Sequence, residues 1–273
     1  MLKLALAQID CELCDKQKNL DKLERATKEA QKNGADLLVL PELSLTGYLI
    51  KDRVYELAEP IPGPAISRVA RIAKESGLHI VFGMPEAHNQ DRGILFNTAV
   101  LVKPDGGIEK YQKVYLPTHS VFDEKRYFRP GNRITTFKTN IGTIGVCICY
   151  DLYFPEVCRI LKLKGADLIV AISASPITRK KYFEALTLTR ALENTVPLVF
   201  VNRVGFEEGL QFWGGSRILT PMGETEAVAK DREELLFGEV DFHETMAAEV
   251  AIPTIRDARL ELLEELKNSF ENF

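Results

Sequence analysis

Three residue types in this chain are suited to covalent catalysis by a thiol: a cysteine, a glutamate and a lysine, each set at or just past an apolar run. In Thr143-Ile144-Gly145-Val146-Cys147-Ile148-Cys149-Tyr150-Asp151 an apolar strand ends at Cys149, and a helix begins near Pro155, so Cys149 sits at a strand-turn-helix corner. Ligands bind at the carboxyl ends of strands in open α/β sheets, and the partial positive charge of a helix N-terminus favours thiolate, which together mark Cys149 as a nucleophile. Cys147, within the strand, and Cys158, one turn into the helix, read as small buried hydrophobes. Asp36-Leu37-Leu38-Val39-Leu40-Pro41-Glu42 delivers a carboxylate past the end of a second apolar strand, where Glu42 could act as a base. Tyr111-Gln112-Lys113-Val114-Tyr115-Leu116-Pro117 places Lys113 beside apolar residues, where it could face inward. Taken singly, a glutamate after a strand is ordinarily a solvated loop residue and most lysines face water. Spacing alone does not bring three such distant segments together.

The elements that must position these residues are legible as short apolar runs alternating with amphipathic stretches, an α/β pattern. Strands are predicted over 2–8, 36–40, 79–83, 97–102, 143–149, 167–172 and 197–201, several of them apolar on both faces as covered strands are. The more polar runs 108–113 and 134–139 read as strands nearer a sheet edge. Leu20, Leu23, Thr27 and Ala30 share one helical stripe that Gly34 ends, and further helices are predicted over 64–75, 155–164, 180–194 and 256–270. The last carries Leu260, Leu263 and Leu266 on one side. Gly34-Ala35-Asp36-Leu37-Leu38-Val39 recurs as Gly165-Ala166-Asp167-Leu168-Ile169-Val170, which suits two similar halves joined sheet against sheet in four layers.

With 273 residues, 35 Lys+Arg, 39 Asp+Glu and a net charge of −4, the chain is an ordinary folded protein, and its charge argues against phosphate-driven nucleic-acid binding. It holds no apolar run near the ~20 residues a membrane span requires. The N-terminal apolar run reaches Asp10 too soon for a secretory core, and five cysteines are an odd number, so reduced thiols and a cytoplasmic location are expected. Cys11-Glu12-Leu13-Cys14 lacks two further metal ligands, and the Gly-rich stretches Pro104-Asp105-Gly106-Gly107 and Gly214-Gly215 read as turns rather than phosphate loops, so neither metal nor cofactor is expected.

Pro41-Glu42-Leu43 with Gly47-Tyr48, then Lys113-Val114-Tyr115-Leu116, then Cys149-Tyr150-Asp151-Leu152-Tyr153-Phe154-Pro155-Glu156 resemble, in that order, the signatures of the nitrilase superfamily of carbon-nitrogen hydrolases. Phe122-Asp123-Glu124, Phe128-Arg129-Pro130-Gly131, Arg190-Ala191-Leu192-Glu193-Asn194 and Gly215-Ser216 extend the likeness over nearly the whole chain, so residues 1–273 are expected to form one domain. The resemblance implies a four-layer αββα sandwich and a homodimer or higher homo-oligomer, with 256–273 a helical extension packing on a partner subunit. It also implies Glu42 as general base, Lys113 as oxyanion stabiliser, Cys149 as nucleophile and Glu124 as a second glutamate in the site. Tyr48, Tyr150, Tyr153, Ser173 and Ala174 are expected to bind substrate, with the Tyr150 backbone N–H as a second oxyanion donor.

An amide carbonyl is a poor electrophile and needs a strong nucleophile, oxyanion stabilisation and a proton for the departing amine; this set supplies all three. A Cys-His pair is the mechanistic rival, with His119 the nearest candidate. Nitrile-cleaving relatives often carry Trp-Glu after the cysteine, whereas Tyr150-Asp151 resembles the amidase and carbamoylase branches. Many relatives place an arginine soon after the cysteine to hold a substrate carboxylate, but Leu152 and Tyr153 stand here, which favours a neutral or partly aromatic amide unless a distant basic residue substitutes. Ser173-Ala174-Ser175-Pro176 and 43–48 also resemble the glutaminase portion of NAD synthetases, with no synthetase domain following. The expected activity is therefore hydrolysis of a small amide through a thioester. The alternatives are an ammonia-delivering glutaminase subunit, an N-carbamoyl amide hydrolase, a nitrilase, and a non-catalytic binding protein of the same fold.

Overall fold

The computed structural model describes residues 1–91 and 93–272. The first part runs β1 (Leu2–Gln8), α1 (Lys16–Lys32), β2 (Leu37–Val39), α2 (Val54–Leu57), α3 (Pro64–Ser76), β3 (His79–Ala87), β4 (Leu95–Val102) and β5 (Ile108–Gln112). The second runs α4 (Glu124–Tyr127), β6 (Thr136–Thr139), β7 (Gly142–Ile148), α5 (Pro155–Leu163), β8 (Leu168–Ser173), α6 (Lys180–Asn194) and β9 (Leu198–Asn202). There follow β10 (Val204–Glu207), β11 (Leu210–Trp213), β12 (Arg217–Leu219), β13 (Thr225–Val228), β14 (Glu234–Val240), α7 (Phe242–Ala251) and α8 (Leu260–Glu271).

Two six-stranded sheets result, ordered β14-β1-β2-β3-β4-β5 and β13-β12-β9-β8-β7-β6, with β10 and β11 forming a separate hairpin. Each sheet has a parallel trio at its centre, β1/β2/β3 in one and β7/β8/β9 in the other, flanked by antiparallel strands. The repeated Gly-Ala-Asp segments lead into β2 and β8, the middle strands of the two trios. Strand alternation explains why these runs are apolar on both faces. Leu2, Leu4, Leu6, Leu37 and Val39 join one core with β7, β8 and β9, while Ala5, Ala7, Leu38 and Leu40 join another with Leu20, Leu23, Val69 and Ile72 of α1 and α3. Val157, Cys158 and Leu161 of α5 and Phe183 and Ala191 of α6 cover the second sheet, completing an αββα sandwich.

The expected edge strands are indeed edges, shortened to β5 and β6. The strands after residue 201 were not anticipated: β10–β13 are only three or four residues long, and β14 is half-buried along most of its length, so neither gives a strong alternating signal. The expected C-terminal helix starts at Leu260 rather than Arg256; Leu263 and Leu266 stay exposed, and the Leu260 side chain and residue 273 lie outside the described residues. Among the described residues no helix is long and apolar enough to cross a membrane.

Gly83 of β3 is the packing constraint that admits the first functional segment. A Cβ at Gly83 would stand 2.3 Å from the Leu43 nitrogen and 2.8 Å from the Glu42 Cα. Gly83→Ala is therefore expected to lower the unfolding free energy by about 1–3 kcal/mol through overpacking. Urea denaturation measures that loss, and retention of wild-type stability would show that the Glu42–Leu43 backbone is not fixed in place by β3.

Candidate active site

Glu42 lies three residues beyond β2, where the chain leaves the sheet over Gly83, and is 1% exposed. Its Oε1 accepts from Lys113 Nζ at 2.7 Å and Asn97 Nδ2 at 2.8 Å, and its Oε2 accepts from the Ala174 backbone N–H at 2.8 Å. Lys113 follows β5 directly and is wholly buried. Its N–H donates to Asn97 O and its carbonyl accepts from Gly131 N–H, which pins the backbone while Nζ reaches Glu124 Oε1, also at 2.7 Å. Burial disfavours the ammonium, yet Glu124 and Glu42 together outweigh it and leave the Lys113 pKa above its ordinary value.

Glu124 opens α4 and shares its Oε1 between Lys113 and the Tyr48 hydroxyl, the latter at 2.7 Å; its buried Oε2 has no hydrogen-bond partner among the described residues. Burial pushes its pKa up to about 7, with Lys113 pulling down and Glu42 pushing up.

Cys149 stands one residue past β7 with φ of 47°, a left-handed conformation that costs a non-glycine residue on the order of 1–3 kcal/mol. Asp151 holds this corner. Its Oδ2 accepts from the Ile148 N–H at 2.9 Å and the Tyr111 hydroxyl at 2.8 Å, and its Oδ1 accepts from the Tyr115 N–H at 3.0 Å. Tyr111 and Tyr115 lie two residues either side of Lys113, so Asp151 ties the cysteine segment to the lysine segment. Burial raises its pKa to about 6 against those donors.

The expectation of a thiolate favoured by the helix N-terminus is corrected by the surroundings of the sulfur. Burial first, then Glu42, push the Cys149 thiol well above its ordinary pKa, and Lys113 and Ser173 pull back less. α5 begins six residues further on, too far for a field that fades within the first turn. Glu42, Lys113, Glu124 and Ser173 all act on this sulfur, so the three distant stretches of chain do converge.

Of the other expected residues, Tyr48 is buried, with its ring edge-on to Phe122 and Phe212. Tyr150 and Tyr153 lie 5.2 Å apart, the latter edge-on to Phe183. Ser173, at the end of β8, has a hydroxyl that favours the Cys149 thiolate yet makes no regular hydrogen bond among the described residues. The Ala174 N–H is engaged by Glu42. His119 is exposed, 5.3 Å from the Tyr150 ring. Sequence reasoning missed Asn97 and Asp151 as holders of the site; the signal for Asn97 was a polar residue inside an otherwise apolar strand.

A carbon-nitrogen hydrolase family model matches residues 3–249. A nitrilase of Pyrococcus abyssi is 37% identical over 97% of this chain and 96% of its own, and an omega-amidase of Xenopus tropicalis is 33% identical over 93% and 94%. A glutamine-for-glutamate mutant of an amidase from Nesterenkonia sp. AN1, solved with acrylamide added to its active-site cysteine, superposes with a TM-score of 0.85 at 28% identity, covering 97% of this chain and 100% of that one. The chain belongs to the carbon-nitrogen hydrolase family of the nitrilase superfamily, of which a Glu-Lys-Cys triad is typical.

A buried thiol with a raised pKa has a definite chemical signature. The rate of Cys149 alkylation by iodoacetamide, followed by peptide mass, is expected to keep rising with pH beyond the ordinary thiol range. A plateau below pH 8 would mean that the thiolate is already formed at rest.

Proposed function

We propose that this protein hydrolyses a small amide through a thioester on Cys149. The observation that carries this reading is a buried thiol, pushed towards its neutral form by burial and by Glu42, beside a carboxylate that still has room for a proton. A carboxylate offers about four acceptor positions, and three donors occupy Glu42. Glu42 takes the thiol proton as sulfur attacks the carbonyl carbon, and the oxyanion forms against the Lys113 ammonium and the Tyr150 backbone N–H. Collapse breaks the C–N bond, and Glu42 returns the proton to the leaving nitrogen. Water then enters, Glu42 removes one of its protons, and the resulting hydroxide attacks the thioester. The thiolate leaves and is reprotonated by Glu42, so the balance is amide plus water to carboxylic acid plus ammonia or amine. Glu124 keeps Lys113 in place, and its unpartnered Oε2 is suited to accept from the substrate amide N–H. The acrylamide taken up by the cysteine of the related amidase supports Cys149 as the nucleophile.

Intact-mass detection of an acyl adduct that maps to Cys149, with ammonia release from an amide panel, tests the proposal. Glu42→Gln is expected to cut kcat by about 10²- to 10⁴-fold, the usual worth of a general base, while His119→Ala keeps most activity. The opposite pattern would transfer the base to His119.

One observation favours an acyl half that bears a carboxylate, against the neutral amide expected from Leu152 and Tyr153. Arg179, on the turn after β8, has a buried Nε without a hydrogen-bond partner and no ion pair among the described residues. The Tyr153 hydroxyl, raised to about 12 by burial and Cys149, feels the Arg179 charge as an opposing pull, so both groups act on the same ring. Arg179→Met is expected to lower kcat/KM for amides with a distal carboxylate by about 10- to 100-fold, the worth of a charged hydrogen bond, and to spare neutral amides. Equal loss on both would assign the neutral class. Exposed Met246 and Val250 of α7 and Leu263 and Leu266 of α8 support the homo-oligomer, since apolar side chains of that size favour burial against another surface.

A further inference from the structure

The hairpin β10–β11 lies outside both sheets, yet it carries a buried ion pair that no step of the proposed reaction uses. Arg203, between β9 and β10, is wholly buried and pairs with Glu207, which is 3% exposed. Arg203 also donates to Asp10 Oδ1 at 2.9 Å and to the Cys11 carbonyl at 3.1 Å. Charges taken this far out of water persist only where every donor and acceptor is occupied. The Glu207 carboxylate completes its set with backbone donors from the opposite side: the Tyr48 N–H at 3.0 Å and the Leu49 N–H at 2.8 Å, both to Oε2.

Further contacts run from this pair towards the site. Gly47, with φ of 79°, lets the loop come this close, since a Cβ there would stand 2.7 Å from Glu207 Oε1. The Arg203 guanidinium lies 4.3 Å from the Phe212 ring centroid, and that ring packs edge-on to Tyr48 at 6.3 Å. The Tyr48 hydroxyl then donates to Glu124 Oε1 at 2.7 Å, the oxygen that Lys113 also uses. Backbone and ring of Tyr48 are thus both fixed by the hairpin, and only the hydroxyl faces the reacting groups.

We propose that Glu207 is a positioning residue: paired with Arg203, it sets the Tyr48 backbone and so the hydroxyl that holds Glu124 beside Lys113. The inference rests on the amide-hydrolase reading only for its kinetic readout. Four groups face Glu124: Lys113 beyond β5, Glu42 beyond β2, Tyr48 from its loop and Cys149 beyond β7. Among the described residues, Tyr48 is the one of these four that hydrogen-bonds to and packs against the hairpin. The hydroxyl favours the ionised Glu124, so its displacement raises a pKa already near 7.

The experiment is a double-mutant cycle in the full-length protein with Glu207→Gln, Tyr48→Phe and their combination. The pH dependence of kcat/KM is read alongside the infrared carboxylic-acid band that disappears in Glu124→Gln. Glu207→Gln and Tyr48→Phe are each expected to move the Glu124 transition upward and to lower kcat about 10-fold, and the double variant to go no further than Tyr48→Phe alone. Glu207→Asp keeps the charge but draws back from the two N–H groups, so it should give a smaller shift in the same direction, and it stands in for Glu207→Gln should that variant not fold. Loss of thermal stability with the Glu124 transition unmoved, or effects of Glu207 and Tyr48 that multiply independently, would overturn the proposal. If no amide is turned over but the infrared transition shifts as described, the reaction assignment fails and the positioning role stands.

Discussion

A lysine ammonium with no access to solvent, shared between two carboxylates, is the constraint on which the site rests. Removing such a cation from water costs several kcal/mol even after relaxation, and close opposite charges offset this only when the remaining acceptors are also satisfied. Glu42 meets that condition with three donors. Glu124 meets it at one oxygen and leaves the other bare. Two glutamates on the same lysine are thereby made unlike: one is locked on both oxygens, and the other is held at one end, titrates near pH 7 and keeps a free acceptor.

Such a pairing demands that segments far apart in sequence agree to within a few tenths of an ångström, and the fold supplies this by repeating one arrangement. Each sheet centres on three parallel strands, and Glu42, Cys149 and Ser173 all sit at or just past the carboxyl ends of strands in those trios. Because sheet faces sheet, those ends meet across the inter-sheet core. Asp151 removes the remaining freedom. By accepting from Ile148, Tyr111 and Tyr115 at once, it fixes the Cys149 corner relative to the lysine on the opposite sheet, at the expense of burying a carboxylate whose pKa rises to about 6.

Much of this was legible in the amino-acid order. Leu2, Leu4 and Leu6 alternating with Ala5 and Ala7 state a strand covered on both faces, and the repeated Gly-Ala-Asp segment marks the two central strands. The corner at Cys149 could be read from an apolar run followed by Pro155. What local pattern does not encode is contact between distant segments: the meeting of Glu42, Lys113 and Cys149 came from resemblance to a family and then from geometry. Asp151 and Glu207 were passed over because their roles lie in hydrogen bonds to remote backbone N–H groups, for which sequence has no periodic signal. The upward push on the Cys149 pKa was hidden for a related reason. Helix position is readable from sequence, whereas desolvation and the nearness of Glu42 are not, and the latter two dominate.

The upward push on the sulfur's pKa also bears on why the proposed base is a carboxylate rather than an imidazole. In the proposed reaction the trio starts as a carboxylate, an ammonium and a thiol. In that proposed step Glu42 takes the proton, the negative charge passes to sulfur and then to the carbonyl oxygen, and the total is unchanged. The group that, after burial, most opposed an anion at Cys149 is itself neutralised by the same transfer. A neutral imidazole would instead finish as a second cation beside Lys113, separating charge in a site closed to water, where Coulomb energies are several-fold larger than in solvent. His119 is exposed, with its ring beside those of Phe122 and Tyr150. In the proposed reaction burial, the lysine and the choice of base are thus one physical solution: a charge moves within the site and none is added.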